Sequence, residues 1–578
     1  MGDVLSYRDS DDSVTVSWSL PDLPTAFHKA GLAGLLCYVR TMPKFAPGAA
    51  LPSIECATPL ELRIRFTQAT LQTLMDSVYA GETHLVESSR KWPNGTLKAE
   101  RSTRPRRGHD RPTRTWVYEV IRPKADLMVH WRGGDTEDRW VALWREALRG
   151  VLRDSKKAEI YAKTTKGHSP TEESGDLKGL WRGFVSGAKR GRRVAPTIPK
   201  SMLIGAEGQN AERVAFKGEV RHNLLLHFWP FVTPVFVPRA LRRTQGQWKI
   251  DTTNGYVLAV AEVGDLIEFS KLIDSYWRRR PPSDDERRRP RDCEIDVAVE
   301  GGMAFLRSLA EYRLASMDDG DFFDTVPQVD LYHLEKRGNN VRTHLTDSIR
   351  LTAGAMRRYE RVAQSRRNTL FRRLLMRNTL DGRSWYACAA ETLFTCYPVE
   401  LFVHSGKSPP FARNFGLAVR EQFKGESTTM NDSLNLAGKV FDIVGQFVAN
   451  RAERRSGVTR EQLQAENGTT NWASVDAQNY LGAREKVATD AFLAIRGRNA
   501  EEFVDYFVGS ICAVPQFMGA QGVSPKEGFI EVSRALHESE ERRTEMRNLT
   551  MLALSAHGWT RQSESRDAGA RPNRGETE

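Results

Sequence analysis

The chain has 578 residues, 40% apolar and 27% charged, which is enough for several packed cores and too apolar for a disordered chain. Lys and Arg number 85 against 73 Asp and Glu, a net charge of +12, which points to an anionic partner without choosing between nucleic acid and a membrane surface. The six cysteines (Cys37, Cys56, Cys293, Cys388, Cys396 and Cys512) form no CxxC pair, which argues against a thiolate metal site and fits a reduced, cytoplasmic setting.

The N-terminal stretch MGDVLSYRDSDDSV is acidic and polar, unlike a signal peptide. Val14, Val16, Trp18 and Leu20 alternate with polar residues and predict a half-buried strand. A helix follows, capped by Asp22 or Thr25, with Phe27, Leu32, Leu35, Leu36 and Val39 on one face and Gly31 and Gly34 leaving it thin. The unit repeats, with Leu60 to Phe66 as strand and Leu71 to Val78 as helix. Strand-like TWVYEVI and DLMVHW come next, then an amphipathic helix from Trp140 to Val151. Residues 98–114, 186–194 and 277–292 are basic and read as exposed loops.

Leu224 to Val237 is mostly apolar but carries Pro230 and Pro234, and it is shorter than the ~20 residues of a spanning helix. It reads as two short strands meeting at Pro230, buried on both faces, so no membrane partner is expected. GYVLAVAEV and QVDLYHLEKRGNNVR are further strand-like pieces. From about residue 350 the pattern is helical, clearest through Leu436, Val440, Ile443, Val444, Phe447 and Val448.

These elements predict an α+β chain: a mixed α/β N-terminal body followed by an all-α helical bundle. The expected divisions are 1–195, 196–350, 351–429 and 430–560, with a disordered tail at 561–578. No phosphate loop, nucleophile elbow or metalloprotease helix occurs, and no residue stands out as catalytic or as a metal ligand. His222 and His227, five apart on the expected strand, point to opposite faces. Asp318, Asp319 and Asp321 lack the full calcium-loop pattern and read as solvated loop.

Nucleic acid is the better-supported ligand. Residues 357–377 hold eight arginines and one acid. On a single helix Arg366, Arg373 and Arg377 would line the edge of the apolar arc, where phosphates would relieve their repulsion. The competing reading is a solvated face paired with acids from elsewhere in the fold. The turn EKRGNNVR is explained by hairpin geometry alone, because Gly338 and the asparagines tolerate left-handed angles. It also offers Lys336, Arg337, Asn339, Asn340 and Arg342 to a groove. Arg104, Arg106 and Arg107 in the first basic loop are further candidates for DNA contact, as are Gln209 and Asn210 in GAEGQNAER.

The blocks LPDLPTAFHKAGLAGLL, GQNAERVAFKGEVRHNLLLHFWPFVTPVFVPRAL, GYVLAVAEVGDLIEFSK and VDLYHLEKRGNN, spread over residues 14–345, resemble in order the large subunit of type I CRISPR effector (Cascade) complexes, in the Myxan-type, I-B-like branch. The resemblance implies a non-enzymatic, cofactor-free subunit of an RNA-guided DNA surveillance complex in antiviral defence. Its implied partners are target double-stranded DNA and the displaced strand, subunits carrying guide RNA, and a helicase-nuclease or transposition partner. A small helical subunit translated from an internal start at Met430 is implied as well. Readers of the flanking motif (the PAM) in such subunits include asparagines, a type that Asn339 and Asn340 match. Two other classes stay open: a stand-alone divergent nuclease and a transposition-associated scaffold.

Overall fold

The computed structural model describes residues 5–88, 91, 96–103, 113–123, 167, 176–190, 217–244, 247–251, 255–278, 294–316, 322–337, 340–350, 353–365, 368–403, 409–427, 436–463, 474–512 and 525–558. DLMVHW, the helix expected at 140–151, residues 205–213, Asp318, Asp319, Asp321, Met430 and the tail 561–578 lie outside them. By compactness the chain forms two units: residues 1–238 with 252–352, and residues 239–251 with 353–578.

The first unit is mixed α/β. Strands β1 (Leu5–Arg8), β2 (Ser13–Ser19), β3 (Ser53–Ala57) and β4 (Glu61–Thr67) form an antiparallel sheet in the order β1-β2-β4-β3. Val14, Val16 and Trp18 lie opposite Phe66, Ile64 and Leu62, and all six are buried, as their alternation predicts. Helix α1 (Ala26–Phe45) follows, then α2 (Gln68–Val78), which opens with a capping box between Thr67 and Thr70. Thr25 occupies the cap position of α1, but its hydroxyl meets His28 Nδ1 at 2.7 Å instead of a backbone N–H.

Strands β5 (Gly81–Ser88), β6 (Thr96–Thr103) and β7 (Thr113–Pro123) form a second sheet in the order β5-β7-β6. The ends of the loop expected at 98–114 are therefore strand. Its cations meet acids across the sheet: Lys98 with Glu119 at 2.6 Å, Arg101 with Glu87 at 2.8 Å and Arg114 with Glu100 at 3.7 Å. An edge strand such as β6 is protected from mispairing by charge, so it carries no apolar alternation to read. The other two basic loops are likewise shorter than expected. Residues 186–190 end helix α3 (Asp176–Arg190), and Trp277 and Arg278 end a helix that spans Leu266–Arg278.

The apolar stretch at 224–237 is buried as expected but is not two strands. Val220–Leu225 is the short helix α4, Trp229–Phe231 is a 3₁₀ turn, and only Val235–Pro238 is a strand, β8. The carbonyl of Glu219 accepts from His222 and Asn223, which starts the turn, and Pro230 fits the tight 3₁₀ geometry. His222 and His227 thus lie on and just after a helix. His227 Nδ1 meets the Tyr79 hydroxyl at 3.0 Å, and the His222 ring lies 6.0 Å from that of His28.

This stretch is the floor on which α1 rests. A Cβ at Gly31 would overlap the Leu225 carbonyl oxygen, with the carbonyl carbon at 2.8 Å, and one at Gly34 would do the same at Phe228. The two glycines are what bring the backbones into contact. Phe27 packs on Trp229 and Tyr332 with ring centroids at 5.1 and 4.8 Å, Tyr38 packs on Phe231 at 4.6 Å, and Trp18 Nε1 donates to the Arg221 carbonyl at 3.0 Å.

β8 enters a third sheet with β11 (Tyr256–Glu262), β12 (Glu294–Ile295), β13 (Gln328–Arg337) and β14 (Asn340–Ile349), in the order β12-β8-β11-β13-β14. Helices α5 (Leu266–Arg278) and α6 (Ala298–Ser316) complete the unit.

The second unit is helical from Ala353 to His557, as its periodicity predicts. Its main helices are α7 (Ala353–Gln364), α8 (Thr369–Leu380), α9 (Pro409–Ser427), α10 (Leu436–Ser456), α11 (Val475–Arg496), α12 (Ala500–Tyr506), α13 (Pro525–Glu538) and α14 (Glu540–His557). α14 is buried from Asn548 to His557 and packs against α9 to α13. One element has no helical character: β9 (Ala240–Thr244) and β10 (Gln247–Asp251) pair as a two-stranded ribbon.

Candidate nucleic-acid interface

Three regions carry the cations that sequence reasoning singled out. The first is the β13–β14 hairpin. Val329, Leu331 and Leu334 are buried at its root, and Tyr332 packs on Phe27, so the ribbon is fixed to the core. The strands stay antiparallel to the tip, with Glu335 opposite Arg342, Lys336 opposite Val341 and Arg337 opposite Asn340. Four of the five hairpin candidates therefore share one backbone turn, and Asn339 lies outside the described residues. Arg342 is exposed. Its opposite number Glu335 is buried, and that carboxylate is held at 2.8 Å by His344 Nε2. Among the described residues no ion pair involves Arg342. A bulge between His333 and Leu334 brings the His333 and His344 rings to 4.9 Å, tilted by 39°.

The second region is the arginine-rich segment at 357–377. It is not one helix. α7 ends at Gln364, and Asn368 caps α8, its Oδ1 accepting from Leu370 N at 3.2 Å and Phe371 N at 3.1 Å. Arg366 falls between the helices, outside the described residues. Arg373 is half-buried and donates to the Tyr397 hydroxyl at 3.3 Å and the Arg239 carbonyl at 3.2 Å. Arg377 is exposed, and no ion pair involves it among the described residues. The expected stripe is thus divided: Arg373 serves the fold while Arg377 faces solvent. The third region, with Arg104, Arg106 and Arg107, lies outside the described residues, as do Gln209 and Asn210.

The structure adds a use of arginine that sequence could not show. Several guanidiniums in the helical unit bind backbone carbonyls. Arg496 donates to Phe394 O at 2.7 Å and Tyr397 O at 2.9 Å, Arg420 to Ala556 O at 2.7 Å, and Arg484 to His557 O at 2.9 Å. The last two neutralise the negative end of α14. His557 is buried between them, and burial with the two nearby cations holds its pKa well below the ordinary value. Its Nε2, 2.9 Å from Phe441 O, fixes the ring over Gly445, which has no side chain to displace it. In the first unit, burial lowers His227 to about 3, and burial with the His222 charge lowers His28 to about 4. These histidines are neutral core groups.

Among the described residues no three His, Cys, Asp or Glu side chains gather as a metal site, and no helix is long and apolar enough to cross a membrane.

Residues 51–319 match the family model of the type I-B CRISPR Cas8b N-terminal domain, and residues 326–557 match that of the Cas8b C-terminal domain. The chain belongs to the type I-B CRISPR Cas8b family. It is thus a large subunit of a Cascade complex in CRISPR antiviral defence, as the sequence resemblance implies, in a family whose large subunits are generally non-catalytic. No curated protein matches the chain. The C-terminal Cas8b match begins just before β13, so it includes the whole cationic hairpin, which is built into the sheet of the first compact unit.

Proposed function

We propose that this Cas8b chain binds target DNA inside Cascade in the cytoplasm and reads the flanking motif with the β13–β14 turn. The observation that carries this reading is a hairpin rooted in buried Val329, Leu331 and Leu334 whose tip gathers Lys336, Arg337, Asn340 and Arg342 in register. Cations and amides at the end of a strand pair rooted in the core suit recognition of a DNA groove. Arg104, Arg106, Arg107, Arg366, Arg377, Gln209 and Asn210 would follow the phosphates or the displaced strand, while Arg373 would act through its hold on the fold. Guide pairing would supply target sequence, and the chain would help recruit the helicase-nuclease. Residues 430–560 would act as a small-subunit-like bundle, also made separately from a start at Met430.

Replacing Asn339 and Asn340 with alanine in the assembled complex tests the central part. Discrimination between duplexes with correct and altered flanks should fall while the complex stays intact, and unchanged discrimination refutes the assignment. Expressing the C-terminally tagged gene tests the internal start: a second product corresponding to residues 430–578 is expected.

A further inference from the structure

The two ends of the β13–β14 hairpin are set to different registers. At the root, buried Val329 and Leu331 lie opposite Ile349 and Asp347, and this pairing runs as far as His333 opposite Leu345. Continued straight to the turn, it would set Lys336 opposite Arg342 and Arg337 opposite Val341, leaving Asn340 in the loop. The tip instead pairs Glu335 with Arg342 and Arg337 with Asn340, so that Gly338 and Asn339 alone connect the strands. The offset is taken up at His344, which stands between the partners of Leu334 and His333 and has none of its own in the ladder. Opposed residues share a face of an antiparallel ribbon, and faces alternate along each strand. The offset thus places Arg337, Asn340 and Arg342 on one face with Glu335, where the straight register would send Arg342 to the other.

We propose that Glu335 and His344 are positioning residues that lock this offset and so decide which face of the hairpin meets the flanking motif. The inference rests on the reading of the β13–β14 turn as the flank reader. From Arg342 to Ser348 β14 is exposed, so burial does not fix its register near the tip. The bond between His344 Nε2 and Glu335 Oε2, 2.8 Å long, supplies what burial does not. It ties the extra residue of β14 across to β13, and its acceptor is a buried carboxylate, which makes it one of the stronger kinds of side-chain hydrogen bond. The His344 ring also meets that of His333, the last residue of the root register, so the extra residue is held on both sides of the offset.

The test uses the guide-loaded complex assembled with full-length variants and reads the ratio of affinities for target duplexes with correct and altered flanks. H344A keeps the extra residue but removes its tie, and the ratio should fall about tenfold, the order of one lost groove contact. E335A should do the same, and the double variant should be no worse than either single change, because the pair acts as one unit. A chain lacking His344 should recover most of the ratio: with the extra residue gone, Thr343 joins Leu345 directly and the tip keeps its pairing without a bulge. The slope of log K against log salt should hold in every variant, since no phosphate contact is removed. H344A with the parent ratio, in a complex where N339A/N340A lowers it, overturns the positioning pair alone. So does a chain lacking His344 that discriminates no better than H344A, the result expected if the histidine itself touched DNA or only held the fold. Flank preference that is absent from the parent, or unchanged in N339A/N340A, overturns the flank-reading turn and the pair with it.

Discussion

Replacing Gly31 by alanine tests how the first unit is built. The added methyl would overlap the Leu225 carbonyl oxygen and stand 2.8 Å from its carbon, where ordinary contact begins at 3.4 Å. The obstacle is backbone on a buried helix, so α1 must retreat by more than half an ångström, loosening Phe27 on Trp229 and Tyr38 on Phe231. Overpacking of this kind costs about 1–3 kcal/mol and more where nothing can yield, against a gain of about 1 kcal/mol in helix propensity. We expect a net loss of about 2 kcal/mol, roughly a thirtyfold rise in local opening. Hydrogen exchange of peptides spanning residues 26–45 reads this without assuming two-state unfolding of a chain with two units. Gly482 in α11 is the control: nothing lies within 4 Å of a Cβ there, so Gly482→Ala should slow exchange in its own helix by about 1 kcal/mol. Protection of α1 that is unchanged or increased in Gly31→Ala would refute the close-packing argument.

His227 and His28 are held neutral below their ordinary pKa near 6.5, so the unfolded chain takes up their protons first. Their contribution is complete above pH 6.5 and is lost as pH falls toward about 4 and 3; between pH 6.5 and 5 the first unit should weaken, and His227→Gln should flatten that slope in denaturant titrations. Arg496→Met strands the Phe394 and Tyr397 carbonyls and should cost about 2–3 kcal/mol in unfolding experiments, yet leave the salt slope of DNA binding untouched. Asn368→Ala removes the acceptor for two N–H groups of α8 and should cost about 1–2 kcal/mol, with Asn368→Ser recovering most of it in thermal melts.

The parts of the fold that were legible in sequence are those with one wet and one dry face. β2, β4 and α10 carry that contrast, and each stands where its period puts it. Leu224 to Val237 has no such contrast, because it is dry on all sides: burial was legible there, but the choice between helical turn and strand was not. β6 fails in the opposite way, since an edge strand wet on both faces reads as loop. The break at Asn368 was signalled by a good capping residue, though the arginine and leucine spacing on either side imitates one continuous helix. The candidate turn was legible from Gly338, Asn339 and Asn340, which demand a tight connection. The division of the arginines was not, because a backbone carbonyl acceptor leaves no mark in composition: Arg496 and Arg377 look alike until their surroundings are known.

The central claim is that this Cas8b chain brings flanking-motif-dependent DNA binding to Cascade. The direct measurement is the affinity of the guide-loaded complex, assembled with and without the chain, for target duplexes with correct or altered flanks. The account predicts flank-dependent binding only when the chain is present; equal flank dependence in its absence would contradict it.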